Sequence, residues 1–375
     1  MIVGSVKELK DFENRVGLMP SHVFEYVNKG HRVIVENGLG VGSGFTDEMY
    51  REAGAEVLGS AQEVWALAEM IVKVKEPIEE EYNLMRKGQI LFTYLHLASN
   101  KQLADALLER GVSGVAYETI EDHLHHLPLL KPMSEVAGRL SIQEGSKYLE
   151  KTYGGKGILL SGVPGVKSGH VVVIGGGAVG MSAVKTALGT GATVSVLDRN
   201  LERLAYMEDV FGGRINTIFS DSKSLEEELK VADVVIGSVL LPGAKAPKLV
   251  TKEHLKIMEP GTVLVDVAID QGGCFESSRP TTHSNPIFIE EGIVHYCVTN
   301  MPGAVPQTST VALGNATLPY GLMLANVGLE KAMESDEGFR KGLNTYAGCI
   351  TNEAVAKALD SDFCKYENCV KTMNL

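Results

Sequence analysis

The chain has 375 residues, of which 44% are hydrophobic and 22% are charged, and its formal net charge is −12 at pH 7. This length predicts two domains, and the negative charge argues against nucleic acid or an anionic membrane as the main partner. No secretory signal is visible in the sequence. The five cysteines are scattered and form no CxxC or Cys/His cluster, which predicts a reduced, cytoplasmic compartment and no metal site.

The first third of the chain alternates short apolar strands with helices. Strands are predicted at residues 2–6, 32–36, 70–74, 89–95 and 112–117, and helices at 21–28, 61–68, 78–86 and 100–110. Ser21 is the predicted cap of the first helix. Repeated βα units with continuous apolar strands indicate a parallel sheet covered by helices on both faces.

A helix at residues 134–153 leads to the segment Gly175-Gly-Gly177-Ala-Val-Gly180, which lies between an apolar strand and a helix. This is the dinucleotide-binding fingerprint in its required setting. Gly175 permits the tight turn, Gly177 lets the backbone approach a pyrophosphate, and Gly180 allows close packing of helix on strand. The positive end of the helix would face the phosphates. The alternative is a purely structural turn in an α/β sheet.

The next strand, at residues 193–197, is followed by Asp198, 18 positions after Gly180. A carboxylate there can hydrogen-bond the ribose hydroxyls of the dinucleotide and would repel a 2′-phosphate, which favours NAD over NADP. The adjacent Arg199 weakens this preference, because a cation near the ribose could accommodate the phosphate.

Further strands are predicted at residues 215–219, 233–236, 262–267 and about 295–299, with a helix at 222–229. Residues 297–329 carry no charge, but their prolines and polar residues favour a buried loop and helix at a domain or subunit junction over a membrane span. This helix begins at Pro306, and helices at 336–346 and 352–359 follow it.

The predicted fold is α/β, with two Rossmann-like doubly wound parallel-sheet domains separated by a cleft. Residues 1–130 plus 306–375 are expected to form the substrate domain, and residues 131–305 the NAD-binding domain.

Three polar residues follow predicted strands or lie close to their ends, where ligands bind in open α/β sheets. They are Lys75, His96 and Asp270. A cation, an imidazole and a carboxylate at strand ends are a plausible acid–base set. Each also has an ordinary alternative, since Lys75 could be a solvated loop charge, His96 a core histidine and Asp270 a turn residue. Arg15 could likewise be a surface cation.

The chain resembles the alanine dehydrogenase family along essentially its whole length. The segments that carry the resemblance are Lys7-Glu with Glu13-Asn-Arg-Val16 and Pro20, Val72-Lys-Val-Lys-Glu-Pro77, Phe92-Thr-Tyr-Leu-His-Leu-Ala98, Val173–Gly180, Asp266-Val-Ala-Ile-Asp-Gln-Gly-Gly273 and Asn300-Met-Pro-Gly-Ala-Val-Pro306.

The resemblance implies reversible oxidative deamination, in which L-alanine, NAD⁺ and water give pyruvate, ammonium and NADH. It assigns Arg15 and Lys75 to substrate binding, with the planar guanidinium of Arg15 pairing with the substrate carboxylate. His96 would exchange protons with the amine and the attacking water, since histidine is the side chain whose ordinary pKa lies nearest to neutral pH. Asp270 would steady the iminium cation and orient water.

The resemblance also implies contacts to NAD outside the glycine turn. The matching positions, together with the turn residues Ala178 and Val179, are Ser134, Arg203, Ser220, Val239, Leu240, Val267, Ala268, Ile269, Asp270, Arg279, Val298, Thr299, Asn300 and Met301. Arg203 stands where the family commonly has a lysine, so that its charge is kept. The expected partners are small molecules and further copies of the chain, in a hexamer by resemblance.

Three other functions are compatible with parts of this pattern. The nucleotide-binding portion of a proton-translocating transhydrogenase shares the two-domain layout but departs at the substrate-site residues. A saccharopine-type dehydrogenase would need room for a long lysine-derived substrate. A non-catalytic NAD-binding sensor would be expected to lack one or more of Arg15, Lys75, His96 and Asp270, all of which are present.

Overall fold

The computed structural model of the protein describes residues 1–239 and 246–373. The chain divides into two compact units, one made of Met1–Met133 with Val305–Leu375 and the other of Ser134–Ala304.

Most strands are short and buried. In chain order they are β1 (Ile2–Ser5), β2 (Arg32–Glu36), β3 (Glu56–Leu58), β4 (Met70–Val72), β5 (Ile90–Thr93), β6 (Ser113–Ala116), β7 (His170–Ile174), β8 (Thr193–Asp198), β9 (Asn216–Phe219), β10 (Val234–Gly237), β11 (Val263–Asp266), β12 (Ile287–Glu290), β13 (Ile293–Tyr296), β14 (Leu343–Tyr346) and β15 (Cys349–Ile350).

The helices range from one turn to six. They are α1 (Pro20–Asn28), α2 (Asp47–Glu52), α3 (Ala61–Leu67), α4 (Glu79–Tyr82), α5 (Lys101–Arg110), α6 (Lys131–Tyr148), α7 (Ala178–Thr190), α8 (Leu201–Phe211), α9 (Ser222–Val231), α10 (Lys252–Leu255), α11 (Pro306–Val327), α12 (Leu329–Ser335), α13 (Glu337–Arg340), α14 (Glu353–Ala358) and α15 (Tyr366–Met373).

The first unit is built on an eight-stranded sheet of order β15-β14-β6-β5-β4-β1-β2-β3. Its six strands from β1 to β6 are parallel, and the order reverses between β1 and β4. One layer of its core contains the fully buried side chains of Trp65, Ile71, Leu91 and Leu107. Such strands, buried on both faces, are typical of a doubly wound sheet.

The second unit has a seven-stranded sheet of order β12-β13-β11-β10-β7-β8-β9. All neighbours are parallel except β12, which pairs antiparallel with β13. Here the strand order reverses between β7 and β10, and the glycine turn follows β7. The predicted α/β class with two doubly wound sheets is therefore confirmed.

The predicted helix at 336–346 is wrong in its second half. Asp336 caps a single turn, α13, by accepting a hydrogen bond from the Phe339 amide at 2.9 Å. The chain then forms β14, which pairs antiparallel with β6. Ala347 and Gly348, both at positive φ, make the tight turn to β15 that such a hairpin requires. Tertiary pairing with the edge of β6 thus overrides the local helical pattern.

The start of α1 differs from the prediction as well. The helix begins at Pro20, with Met19 rather than Ser21 in the cap position. Proline is well suited to the first helical position because it has no amide hydrogen to leave unpaired.

The long uncharged helix predicted to begin at Pro306 is present as α11. Among the described residues, no helix is both long and apolar enough to cross a membrane.

Candidate active site

The sheet order of the first unit explains why three distant residues come together. Strands β4, β1 and β5 belong to its centre, in the order β5-β4-β1. Arg15 lies in the segment that follows β1, Lys75 three residues after β4, and His96 three residues after β5. Because parallel strands end at the same edge of a sheet, these side chains share the edge at which open α/β sheets bind ligands.

Arg15 is almost fully buried and is held by a carboxylate two residues away. Its Nε donates to Glu13 Oε1 at 2.7 Å and its Nη2 to Glu13 Oε2 at 2.5 Å. Nη1 lies 3.1 Å from the sulfur of Met133. Burial disfavours the charge of Arg15, but Glu13 outweighs it and raises the pKa of the guanidinium. The cation is therefore fixed in both charge and orientation.

Lys75 is a half-buried amine next to this cation. Burial, and after it the positive charge of Arg15, lowers the pKa of Lys75 despite the opposing charges of Glu76 and Glu13. Within residues 1–239 and 246–373, no side chain accepts a hydrogen bond from its amine. A desolvated amine of this kind is suited to bind an incoming anion, which would restore its preference for the charged form.

His96 has an unusual backbone conformation, with φ 50° and ψ 34°. This left-handed region is uncommon for residues other than glycine, and such strain occurs often at functional sites. Glu118 stabilises the conformation, because its carboxylate accepts hydrogen bonds from the amides of Leu95 at 3.1 Å and His96 at 2.6 Å. The ring of Tyr94 stacks on the imidazole at 5.8 Å.

The imidazole of His96 is oriented by Glu76, with Nδ1 3.2 Å from Oε2. The other oxygen of Glu76 binds the amine of Lys10. Burial opposes ionisation of Glu76, but His96 and Lys10 outweigh it and lower the pKa of Glu76 to about 2. An ionised carboxylate can only accept, so Nδ1 carries the proton in this pair. The side chain of His96 remains 39% exposed, and Nε2 is the nitrogen that can exchange protons with a ligand.

A buried ion network supports the loop that carries Lys75. The amine of Lys73 lies 3.2 Å from Glu8 and 2.9 Å from Glu81. Glu8 also accepts a hydrogen bond from the amide of Val74 at 2.7 Å and a longer one from that of Lys75 at 3.3 Å. A buried ion pair of this kind is strongly destabilised when one partner is removed.

Sequence reasoning missed the carboxylates that position the predicted residues: Glu8, Glu13, Glu76 and Glu118. Glu76 and Glu13 lie within two positions of Lys75 and Arg15 in the sequence. An acidic residue so near a proposed functional cation was the signal that could have predicted their positioning role. Glu118 gives no such signal, because its relation to His96 depends on the pairing of β5 with β6.

In the second unit the glycine turn has the geometry expected of a phosphate cradle. Gly175 has φ 102°, a conformation that favours glycine. A Cβ on Gly180 would lie 1.9 Å from the carbonyl oxygen of Gly175, whereas one on Gly177 would meet nothing within 4 Å. Gly177 is the N-cap of α7 and has no side chain with which to accept hydrogen bonds from the first amides of the helix. This arrangement fits a dinucleotide pyrophosphate.

Asp198 lies at the end of β8 beside this turn. Its Oδ2 accepts a hydrogen bond from the Gly176 amide at 2.7 Å, and its Oδ1 one from the Asn200 amide at 2.9 Å. Each carboxylate oxygen has a second acceptor site, which suits the two ribose hydroxyls. Arg203 donates from Nε to the carbonyl of Gly176, so its charge lies at the same turn.

Asp270 belongs to a short turn, Ile269–Gln271, that follows β11. The loop is organised by the buried carboxylate of Asp266, which accepts hydrogen bonds from the amides of Cys274 at 3.1 Å and Phe275 at 3.2 Å, and from the Ser278 hydroxyl at 2.5 Å. Burial raises the pKa of Asp266, although these donors oppose the shift. Asp270 itself is exposed.

The remaining predicted cofactor residues lie in loops of the second unit or beside them. The Ser220 amide donates to the carbonyl of Asp198 at 3.0 Å, and Gly175 approaches Val239. Arg279 is exposed, with its guanidinium 4.1 Å from the ring centre of Phe288. Leu240 lies outside the described residues. The others are Ser134 in α6, Val267, Ala268 and Ile269 after β11, and Val298, Thr299, Asn300 and Met301 after β13.

The cysteines are less scattered than the sequence indicated. Cys349, Cys364 and Cys369 place their sulfur atoms within 4.8 Å of one another. No pattern in the sequence indicates this cluster, because β15 and α15 come together only through the tertiary fold.

Comparison with known proteins identifies the family of the chain. The family models for the N-terminal and C-terminal domains of alanine dehydrogenase/PNT match residues 4–137 and 141–353. An alanine dehydrogenase of Methanococcus maripaludis is 54% identical over 361 residues, which are 96% of this chain and 97% of the relative.

Solved structures give the same result. An L-alanine dehydrogenase with 50% identity superposes with a TM-score of 0.94, covering 96% of this chain and 99% of that chain. A transhydrogenase from Sinorhizobium meliloti, at 24% identity, has a TM-score of 0.82 over 94% of this chain and 100% of that chain, a likeness of fold alone. The chain therefore belongs to the alanine dehydrogenase/PNT family.

Proposed function

We propose that this protein is an L-alanine dehydrogenase, which catalyses the NAD-dependent reversible oxidative deamination of L-alanine to pyruvate and ammonium. The single observation that carries the proposal is the set of Arg15, Lys75 and His96 at one edge of the first sheet. Relatives named alanine dehydrogenase, similar over nearly the full chain, support it.

Two cations would bind the substrate carboxylate. Arg15 is held rigid by Glu13, which uses its Nε and one Nη2 hydrogen. Because Glu13 occupies the Nε–Nη2 side, the substrate carboxylate would meet the guanidinium from its Nη side. The amine of Lys75 would approach the carboxylate or the carbonyl oxygen of pyruvate and stabilise negative charge there.

His96 would move the protons. Glu76 keeps the proton on Nδ1, so neutral His96 presents Nε2 as a base toward the ammonium group of alanine or the attacking water. In the reverse direction the imidazolium returns that proton. Glu76 stabilises the imidazolium that forms in between, and Glu118 holds the backbone in place.

The second unit would hold the nicotinamide cofactor, which when bound supplies the acceptor for the hydride from the substrate α-carbon. The amides at the start of α7 would bind the pyrophosphate and Asp198 the ribose. The carboxylate of Asp198 favours NAD over NADP. Asp270 would balance the positive charge of the iminium form of the substrate and orient water.

Two properties stay predictions: the hexamer, which the family resemblance implies, and the cytoplasmic location, which the cysteine pattern predicts. Sedimentation analysis of the purified protein tests the first directly, and fractionation of the source cells tests the second.

The proposed function is tested by following NADH in both directions. Purified protein should reduce NAD⁺ with L-alanine and oxidise NADH with pyruvate plus ammonium. A panel with glycine, serine and glyoxylate then defines the substrate range. No turnover in either direction, with NADH bound normally, would identify a sensor instead of an enzyme.

His96→Ala should abolish turnover while leaving NADH binding unchanged, because the imidazole acts on substrate alone. The chain offers a matched control in His125, an exposed histidine that also has positive φ, at 61°, and also pairs through Nδ1 with a glutamate, Glu121, at 2.8 Å. His125→Ala should retain full turnover. Equal activity of the two variants would remove the acid–base role from His96.

A further inference from the structure

Three of the five cysteines form a cluster near the C-terminal end of the described chain. Cys349, Cys364 and Cys369 each offer one sulfur, and all three sulfurs lie within 4.8 Å of one another. Cys369 is buried and the other two are half-buried. The cluster belongs to the first unit and contains none of the residues assigned to substrate or cofactor binding.

Backbone pairing fixes the positions of these cysteines. Cys349 begins β15 and pairs with Tyr346 of β14. Phe363 forms a parallel bridge with Ile350, and the amide of Cys364 donates to the carbonyl of Ile350 at 2.9 Å. Cys369 lies one turn into α15, where its amide donates to Lys365 at 3.2 Å. The strand, the connecting segment and the helix thus each contribute one thiol.

The spacing of the sulfurs matches a thiolate metal site. Zinc–sulfur bonds of about 2.3 Å at tetrahedral angles place ligand sulfurs about 3.8 Å apart. The sulfur–sulfur distances in the cluster lie on both sides of this value, since the sulfurs of Cys364 and Cys369 are 2.8 Å apart and all three sulfurs lie within 4.8 Å of one another. Side-chain adjustments of about 1 Å would reach it, without movement of the paired backbone.

A disulfide accounts for only part of this arrangement. It would join two of the sulfurs, for which Cys364 and Cys369 are the nearest pair, and would leave Cys349 with no role. A metal ion accounts for all three. Soft thiolate ligands select zinc or monovalent copper over magnesium and calcium.

We propose that Cys349, Cys364 and Cys369 form a three-thiolate binding site for Zn²⁺ that fastens α15 to the β14–β15 hairpin. The fourth position of the tetrahedron is taken by solvent, because the cluster includes no histidine or carboxylate among the described residues. Binding replaces the thiol protons, which pass to solvent as three sulfur–zinc bonds form, and no redox step takes place.

Such a site would add a further link between α15 and the hairpin against which it already packs. Cys369 is buried in α15, and the Tyr366 ring of the same helix lies 5.5 Å from that of Tyr346. A bound ion would link α15 covalently to β15, so occupancy should protect this end of the chain from proteolysis and local unfolding.

The experiment uses full-length protein that has been chelator-treated, fully reduced with a phosphine and then titrated with Zn²⁺ against a chromophoric chelator. Co²⁺ serves as a spectroscopic probe, since thiolate ligation gives an intense charge-transfer band. The wild type should take up one equivalent. Cys349→Ser, Cys364→Ser and Cys369→Ser should each lose this uptake and the band.

Cys297→Ser is the matched control, because it removes a buried thiol of the second unit, far along the chain from the cluster. It should bind Zn²⁺ as the wild type does. Far-ultraviolet circular dichroism and NADH binding establish that each variant is folded, and the melting temperature should rise with Zn²⁺ only in the wild type and the Cys297 variant.

Two results would overturn the proposal. One is the absence of Zn²⁺ uptake by the reduced wild type, and if thiol titration of the unreduced protein then finds two thiols missing, the cluster is a disulfide pair. The other is undiminished uptake by all three cluster variants, which would assign the bound ion to another part of the chain.

Discussion

Replacing Gly177 with alanine should separate dinucleotide binding from the stability of the glycine turn. Gly177 has φ −65° and ψ −162°, which alanine also adopts, and an added Cβ meets no protein atom within 4 Å. As a helix cap, alanine is less favourable than glycine by less than about 1 kcal/mol. The unliganded variant should therefore fold with nearly normal stability.

NADH binding should suffer much more. The new methyl group would occupy the space through which the pyrophosphate approaches the first amides of α7. Loss of one charge-assisted hydrogen bond costs about 1.5–3 kcal/mol, or roughly 10- to 100-fold in Kd. Fluorescence titration with NADH measures the affinity, and urea unfolding without cofactor measures the stability.

Two further glycines of α7 give the controls. Gly180→Ala would place a Cβ 1.9 Å from the carbonyl oxygen of Gly175, and overpacking against backbone should destabilise the fold by about 1–3 kcal/mol or more. Gly189 is exposed, with no atom within 4 Å of an added Cβ. Gly189→Ala should stabilise α7 by up to about 1 kcal/mol without altering NADH affinity.

If Gly177→Ala binds NADH as tightly as the wild type, Gly177 does not provide the approach to the pyrophosphate. If Gly177→Ala loses as much stability as Gly180→Ala, the glycine serves the fold and not the ligand.

Three other predictions concern charged groups. Lys75→Met should raise KM for pyruvate at least about tenfold by removing a cation from the carboxylate site. Because burial and Arg15 lower the pKa of Lys75, the wild-type KM should rise as pH increases through a value below 10.5. Lys75→Arg should not show this rise of KM with pH, and a variant with the same pH profile as the wild type would contradict the role of Lys75 as the titrating cation. Asp198→Ala should weaken NADH binding roughly tenfold and relax discrimination against NADP; a wild type that already prefers NADP would disprove the role of Asp198. Glu76 has a folded-state pKa of about 2 against an ordinary value of 4.5, so its stabilisation is complete above pH 4.5 and is lost as pH falls toward 2. Glu76→Gln should remove on the order of 3 kcal/mol of this pH-dependent stability. Urea unfolding at neutral pH and at about pH 3 measures the loss. If the stability of the variant depends on acid pH as that of the wild type does, the Glu76 ion pair is not the source of the pH dependence.

Much of the fold could be predicted because its signals are local. Continuous apolar strands and the spacing of Gly175, Gly177 and Gly180 depend on neighbours in sequence, and most of the predicted strands lie within two residues of their expected bounds. The strand expected at about 295–299 is Ile293–Tyr296, and the short strands β3 and β12 were not predicted. The positions of Lys75 and His96 also followed from the sequence, since parallel strands end at one edge. Their proposed roles stay predictions until the variants are measured.

The sequence-based predictions fail where segments far apart in the chain pair with one another. Strand β14 forms because β6, more than 200 residues earlier, offers an edge to it, and no local pattern records that pairing. The carboxylates Glu8 and Glu118 have the same appearance in sequence as solvated surface acids. The contact of Glu8 to the loop of Lys75 exists only once β1 lies beside β4, and that of Glu118 to the loop of His96 only once β5 lies beside β6.

The strand order of the first sheet also constrains how the protein can form during synthesis. Its strands β1–β6 precede the second unit in the chain, whereas β14 and β15 follow it. The second unit is continuous, from Ser134 to Ala304, and can complete its sheet as soon as it leaves the ribosome. The first unit cannot complete its sheet until residues 343–350 emerge, and the edge of β6 stays unpaired until then. At about 5–20 residues per second this interval lasts roughly 10–50 seconds. During it the nascent chain presents an open β edge, which is a natural point for chaperone binding and for aggregation.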